Sequence, residues 1–141
     1  MEKEERITVR DQRYPDYFPV GCPPEDAHTE EQLLFRFCSG TVPQQDDFIS
    51  YYLKDPQRHK GNFKAYGLSV MKSREDCFEA FRKFPWVRNY HSIASGLTND
   101  QRGSWKETPN KQNPAHVTWW VCKDVNPFSF FTFDAEIGDE T

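Results

Sequence analysis

Apolar residues recur along the chain in short blocks whose spacing changes from two to between three and four and back again. Residues 32–38 (QLLFRFC) alternate, with Leu33, Phe35 and Phe37 on one side and Leu34, Arg36 and Cys38 on the other, which predicts a strand. Pro43 suits the first turn of a helix, and Phe48, Ile49, Tyr52 and Leu53 continue at helical spacing as far as Lys54. A polar stretch over 55–62 follows. Residues 64–71 (KAYGLSVM) then predict a second strand, with Tyr66, Leu68 and Val70 on its apolar side. Ser73 is placed to cap a second helix, with Glu75 and Asp76 in its first turn, where carboxylates complement the dipole. Cys77, Ala80, Phe81 and Phe84 make one stripe on that helix, and Pro85 stops it.

Residues 90–97 predict a further strand. The blocks 116–122 (HVTWWVC) and 127–133 (PFSFFTF) carry the strongest strand patterns. Between them and residue 97, the polar segment 98–114 holds one large apolar residue, Trp105, and is long enough to serve as a lid or binding loop. The prolines of 14–24 (YPDYFPVGCPP) rule out a helix, yet Tyr14, Tyr17, Phe18 and Val20 are too apolar for a free linker, so this stretch is expected to lie extended as a strap across the domain. Residues 1–13, with only Ile7 and Val9 alternating, form a frayed arm or edge strand, and 134–141 form an acidic tail. The expectation is a single α+β domain over 14–133, built on a small, mainly antiparallel sheet of about five strands with two helices packed on one face.

Composition adds three constraints. Aromatic residues make up 16% of the chain, so its core is expected to be built from rings. A net charge of -4 argues against a broad nucleic-acid surface. No apolar run reaches the length that spans a bilayer, and the charged start lacks a secretion-signal pattern, so a cytoplasmic protein without membrane contact is expected. In that compartment Cys22, Cys38, Cys77 and Cys122, scattered and each beside apolar residues, read as reduced core thiols.

Strand alternation supplies the candidate chemistry. If Val117, Trp119 and Val121 face the core, His116, Thr118 and Trp120 face the other way, just as Arg36 and Ser69 point away from the apolar sides of their strands. Were those strands neighbours, one cleft would hold Arg36, Ser69 and His116. Arg36 would grip a carboxylate or phosphate, His116 would titrate near neutral pH, and Trp120 would offer a flat wall for a ring. His116 and Ser69 are thus the candidate catalytic groups, and Arg36, Trp120, Tyr66 and Thr118 the candidate ligand-binding ones. The plainer reading is an Arg paired with a surface acid, an incidental Ser and a packed His.

The run LFRF at residues 34–37, then YGLSV at 66–70 and the helical SREDCFEAF that follows, resembles the opening of ADP-ribosyltransferase-like and RES-type domains. The resemblance implies NAD as cofactor or substrate, Arg36 contacting the dinucleotide and Ser69 near the nicotinamide ribose. It also places His116 where those domains carry a catalytic Glu, since Glu107 lies in a loop and Glu136 in the tail. The wider pattern GCPPEDA, FR, GLSV and HVTWW is similar to small bacterial proteins, and that likeness names no activity.

Other chemistries have less behind them. No closely spaced Cys or His pair suits zinc, so no metal site is expected, and the scattered glycines form no phosphate loop. Two functional expectations follow. One is a binding or accessory protein without a cofactor that works with a protein partner through its aromatic surface. The alternative is an ADP-ribosyltransferase-like, NAD-binding enzyme using the Arg36, Ser69 and His116 cleft.

Overall fold

A computed structural model of the chain describes residues 12–84, 87 and 89–137, which leaves Ile7, Val9, Pro85 and the last acidic residues outside the description. Its elements mix helices and strands. Strands β1 (Gln32–Cys38), β2 (Leu68–Val70), β3 (Ser92–Thr98), β4 (Gly103–Glu107), β5 (Val117–Val121) and β6 (Thr132–Glu136) accompany helices α1 (Tyr51–Lys54), α2 (Pro56–His59) and α3 (Arg74–Lys83).

The strands form two antiparallel sheets of three, ordered β1-β3-β6 and β2-β5-β4, rather than one sheet of about five. Two causes explain the difference. First, β4 (GSWKE) lies in the segment that reads as a loop. Its alternation is short and polar, and Trp105 is held by pairing with Trp119, bridging to His28 and donating from its indole to the Glu30 carbonyl at 3.1 Å. Second, β1 and β2 meet at one bridge, where Phe35 and Met71 exchange backbone hydrogen bonds of 2.8 and 2.9 Å, and the sheets diverge around it.

The helix expected from Pro43 to Lys54 is broken into pieces. A 3-10 turn over Gln45–Phe48 ends at an extended Ile49, and Ser50 then caps α1 by accepting from the Leu53 N–H at 3.2 Å. Asp55 caps α2 in the same way, from Arg58 at 3.3 Å, inside the stretch expected to be plain polar loop. Short polar side chains at both positions offer the backbone a fresh start in place of continuation. Similarly, the 64–71 strand keeps only its last part. Phe63–Tyr66 is a 3-10 turn, so Tyr66 is not a strand residue. Gly67 follows because a Cβ there would lie 2.6 Å from Thr118 Cγ2 and 2.9 Å from the Trp119 carbonyl.

At the other end, Asn126 caps a 3-10 turn over Pro127–Ser129 where a strand was expected. Strand β6 starts at Thr132 and takes in the first residues of the acidic tail, with Asp134 in an ion pair to Arg74 at 2.6 Å. Helix α3 follows its pattern: Ser73 Oγ accepts from the Asp76 N–H at 3.0 Å, and Cys77 and Ala80 are buried. The proline-rich strap crosses the domain as a chain of tight turns instead of an extended run, with Phe18, Cys22 and Ala27 each donating to a proline carbonyl three residues back.

Three packed clusters result. Leu34, Val70, Trp119 and Phe131 fill the space between the sheets; Phe35, Met71 and Ile93 pack against Cys77 and Ala80 of α3; Tyr14, Phe18, Tyr66 and Trp120 anchor the strap. Burying a ring such as Trp119 stabilises the fold by about 4–6 kcal/mol as an upper figure, against about 0–1 kcal/mol for an exposed ion pair. Rings therefore set the arrangement of the strands, and the strands set the site.

Candidate functional site

The divergence of β1 from β2 opens a cavity of about 360 Å³ lined by Phe37, Tyr51, Lys54 and Tyr90, and by Arg36, Ser69 and His116. The three polar residues expected to share a cleft do share one. Their route to it differs from simple alternation, because Arg36 lies in the gap where the sheets part. Its Nε donates to the Asp47 carbonyl and its Nη1 to the carbonyl of Ser69, both at 2.7 Å, while its plane lies 5.9 Å from the Phe48 ring centre. Burial pulls the guanidinium below its ordinary pKa, opposed by Tyr90, Cys38, Tyr51 and Asp47.

Ser69 and His116 come together through the β2–β5 register. Ser69 faces Thr118 across the two strands, which brings His116, two residues away, onto the same side. His116 Nε2 lies 2.8 Å from Ser69 Oγ, and Nδ1 lies 2.7 Å from Thr108 Oγ1, which is itself 2.8 Å from Thr118 Oγ1. Half-buried in this pocket, the imidazole has a pKa below its usual value. Desolvation is the main cause and the Lys64 and Arg36 charges add to it, whereas a hydrogen bond from the ring to the Thr108 backbone pulls the other way. The ring is accordingly neutral at pH 7 and able to accept a proton.

The remaining expected site residues are placed elsewhere. Trp120 is fully buried in the strap cluster, where its Nε1 donates to the Phe63 carbonyl at 2.9 Å, so it offers no open wall. The correction has a simple cause: β5 is covered on both faces, and its alternate side packs under the strap. Tyr66 is buried beside it, its hydroxyl accepting from the Gly61 N–H, and it borders a different cavity. Thr118 is fully buried and touches the site through Thr108 rather than a ligand.

Sequence reasoning missed the flat walls and the orienting hydroxyl. Tyr51 and Tyr90 supply rings at the cavity, and Asn110 and Asn113 close one side through a turn in which both backbones pair. Thr108 is the first residue beyond β4, and its N–H donates to the His116 carbonyl at 2.9 Å, continuing the β4–β5 pairing. Recognising β4 in the sequence would have put Thr108 opposite His116.

Cysteine chemistry has no foothold here. Burial raises the Cys22 and Cys38 thiols to about 12 and pushes Cys77 higher still, so none is a ready nucleophile. Among the described residues, no group of three His, Cys, Asp or Glu side chains is arranged to hold a metal, and no helix is long and apolar enough to cross a membrane. No family model matches the chain, and no curated protein or solved structure matches it significantly.

Proposed function

We propose that the chain binds a nucleotide of the NAD class in the cavity between β1 and β2, with Arg36 on the phosphate and Ser69 and His116 at the sugar or base. The observation that carries this reading is the convergence of Arg36, Ser69 and His116 on one cavity with Tyr51 and Tyr90 in its walls. An arginine beside tyrosine rings suits a ligand that joins anionic phosphate to a flat base. The cavity volume falls within the range of small-molecule sites. It also shares Ile49, Ser50 and Leu68 with a neighbouring groove of about 640 Å³, which gives a two-part ligand room to extend. Such a ligand would meet the same residues that the ADP-ribosyltransferase-like resemblance selects.

A partner-protein role has less to rest on. Of the aromatic residues that would form its surface, Trp105, Trp119, Trp120 and Phe131 are buried, while Phe128 and Phe133 are exposed.

The test is thermal unfolding with NAD, ADP-ribose or AMP at millimolar concentration. A ligand present at about 100 times its Kd stabilises by about 2.7 kcal/mol, a rise of several degrees in Tm. Arg36→Lys keeps a charge but loses the fork, and should shrink the rise without lowering the ligand-free Tm by as much. If none of the three nucleotides moves the Tm of the wild-type chain, the nucleotide reading is wrong.

A further inference from the structure

We propose that Ser69 is a nucleophile and His116 its general base, forming a serine acyl-transfer site for small carboxylic esters that carry a negative charge. The inference uses the same cavity but does not depend on a nucleotide occupying it.

Nucleophilic serine catalysis needs three things: a hydroxyl in hydrogen-bond contact with a base, a base held in one orientation, and space at the hydroxyl for an acyl group. The first is the 2.8 Å contact between Ser69 Oγ and His116 Nε2. The second comes from the other ring nitrogen, since Nδ1 lies 2.7 Å from Thr108 Oγ1. An imidazole that donates from Nδ1 keeps Nε2 as its acceptor, aimed at the serine proton. Thr108 Oγ1 is braced in turn by the buried Thr118 hydroxyl at 2.8 Å, so the orienting group is a pair of threonines where a carboxylate more often stands. The third is the cavity itself, which both Ser69 and His116 line.

The same geometry defines the substrate. Arg36 Nη1 is fixed to the Ser69 carbonyl, and Nη2 has no hydrogen-bond partner among the described residues. The cation therefore stands beside the nucleophile with donors to spare, and Lys54 lines the same cavity. An ester bearing a carboxylate or phosphate fits that charge. In the first step Ser69 Oγ bonds to the ester carbonyl carbon while its proton passes to His116 Nε2. The carbon–alkoxide bond then breaks, and the leaving alcohol takes that proton. Water next adds to the acyl carbon, giving its proton to Nε2, and the acyl–Oγ bond breaks as the proton returns to Ser69. The balance is ester plus water to acid plus alcohol.

A Ser–His bond that merely ties β2 to β5 would show no reactivity, so covalent labelling separates the two roles. The full chain is treated with a fluorophosphonate, whose phosphorus bonds to the serine oxygen as fluoride leaves, and the adduct is located by peptide mass mapping. One equivalent on Ser69 is expected. Ser69→Ala should abolish it, and His116→Gln should slow it by roughly 100-fold or more, the usual contribution of a general base. With p-nitrophenyl esters, the hemisuccinate should turn over faster than the neutral butyrate, and Arg36→Gln should erase that preference. Circular dichroism and Tm verify that each variant is folded. A folded wild-type chain that gives no adduct on Ser69, or one labelled equally fast in His116→Gln, overturns the proposal. The Tm response of the unlabelled wild-type chain to NAD reports on the nucleotide reading separately.

Discussion

Two cavities lie side by side in this molecule, and the larger one holds less chemistry. They share Ile49, Ser50 and Leu68 as a common wall. The groove of about 640 Å³ beyond that wall is bordered by the strap residues Pro15, Tyr17 and Phe18 and by Leu53, and behind it stands the stacked pair Tyr52–Tyr66 with centroids 4.2 Å apart. The cavity of about 360 Å³ has an arginine bonded to the Ser69 carbonyl and a histidine bonded to the Ser69 hydroxyl. The difference follows from what closes each one. The groove is bordered by strap rings together with the solvent-facing Gln45, Asp46, Lys123 and Asp124, whereas the smaller cavity sits where two sheets part and leave backbone carbonyls that Arg36 must satisfy. The candidate site is marked here by directed bonds at an interruption in a sheet, and volume is a poor guide to it.

The sharpest way to break this contrast is to remove a ring from the groove side. Trp120→Ala should cost about 3–5 kcal/mol in urea unfolding, since it empties the strap cluster and strands the Phe63 carbonyl. The protein that stays folded should still be labelled at Ser69. A cost below about 1 kcal/mol would mean that rings do not hold that side together.

Acid titration should come next in size and should be felt through the smaller cavity. His116 has a folded pKa below the unfolded value of about 6.5. Folding thus favours the neutral ring, so the unfolded chain binds more protons and stability falls with falling pH. The contribution is present above about pH 6.5 and is lost as the pH drops through the folded value. Arg36 and Lys64 are the charges that lower it, and Lys54, Tyr51 and Tyr90 line the same walls, with Tyr90 held above its ordinary pKa by burial. Tm measured from pH 7.5 to 5 should decline more steeply for the wild type than for His116→Gln. Parallel curves would show that the ring titrates as freely as in the unfolded chain.

The smallest effect is expected at the rim of the groove. Leu53 is about half exposed there, so Leu53→Ser should change stability by no more than about 0.5 kcal/mol and leave Ser69 labelling unchanged. A larger loss would show that the groove is packed more tightly than its openness indicates.

Much of this arrangement was legible in the order of residues, and the gaps have physical causes. Alternation in QLLFRFC and HVTWWV placed β1 and β5, and Ser73 with its acidic first turn placed α3, because each element is long enough for its period to repeat. β2 keeps three residues and β4 has a glycine, a serine and two charges among five, so neither has a period to read. Missing β4 also hid Thr108, whose only signal is its place opposite His116. Trp120 was misread for a different reason: alternation says that its side chain opposes Trp119, and cannot say that the strap covers that face as well. The serines make the same point. Ser69 and Ser92 look alike as strand residues, yet Ser69 meets an imidazole while Ser92 Oγ is buried with no hydrogen-bond partner in the described structure, across the strand pair from Cys38.

By itself the sequence determined which residues are rings, which segments alternate, that Ser73 caps a helix, and that an arginine, a serine and a histidine each oppose an apolar neighbour. Those are local facts, set by periods of a few residues and by side-chain chemistry. Only the tertiary structure decided that the strands divide into two sheets joined at Phe35 and Met71, and that Arg36 fills the opening while Ser69 and His116 close on each other. That choice depends on which buried faces fit together across long stretches of chain, through ring packing between distant segments that no local period records.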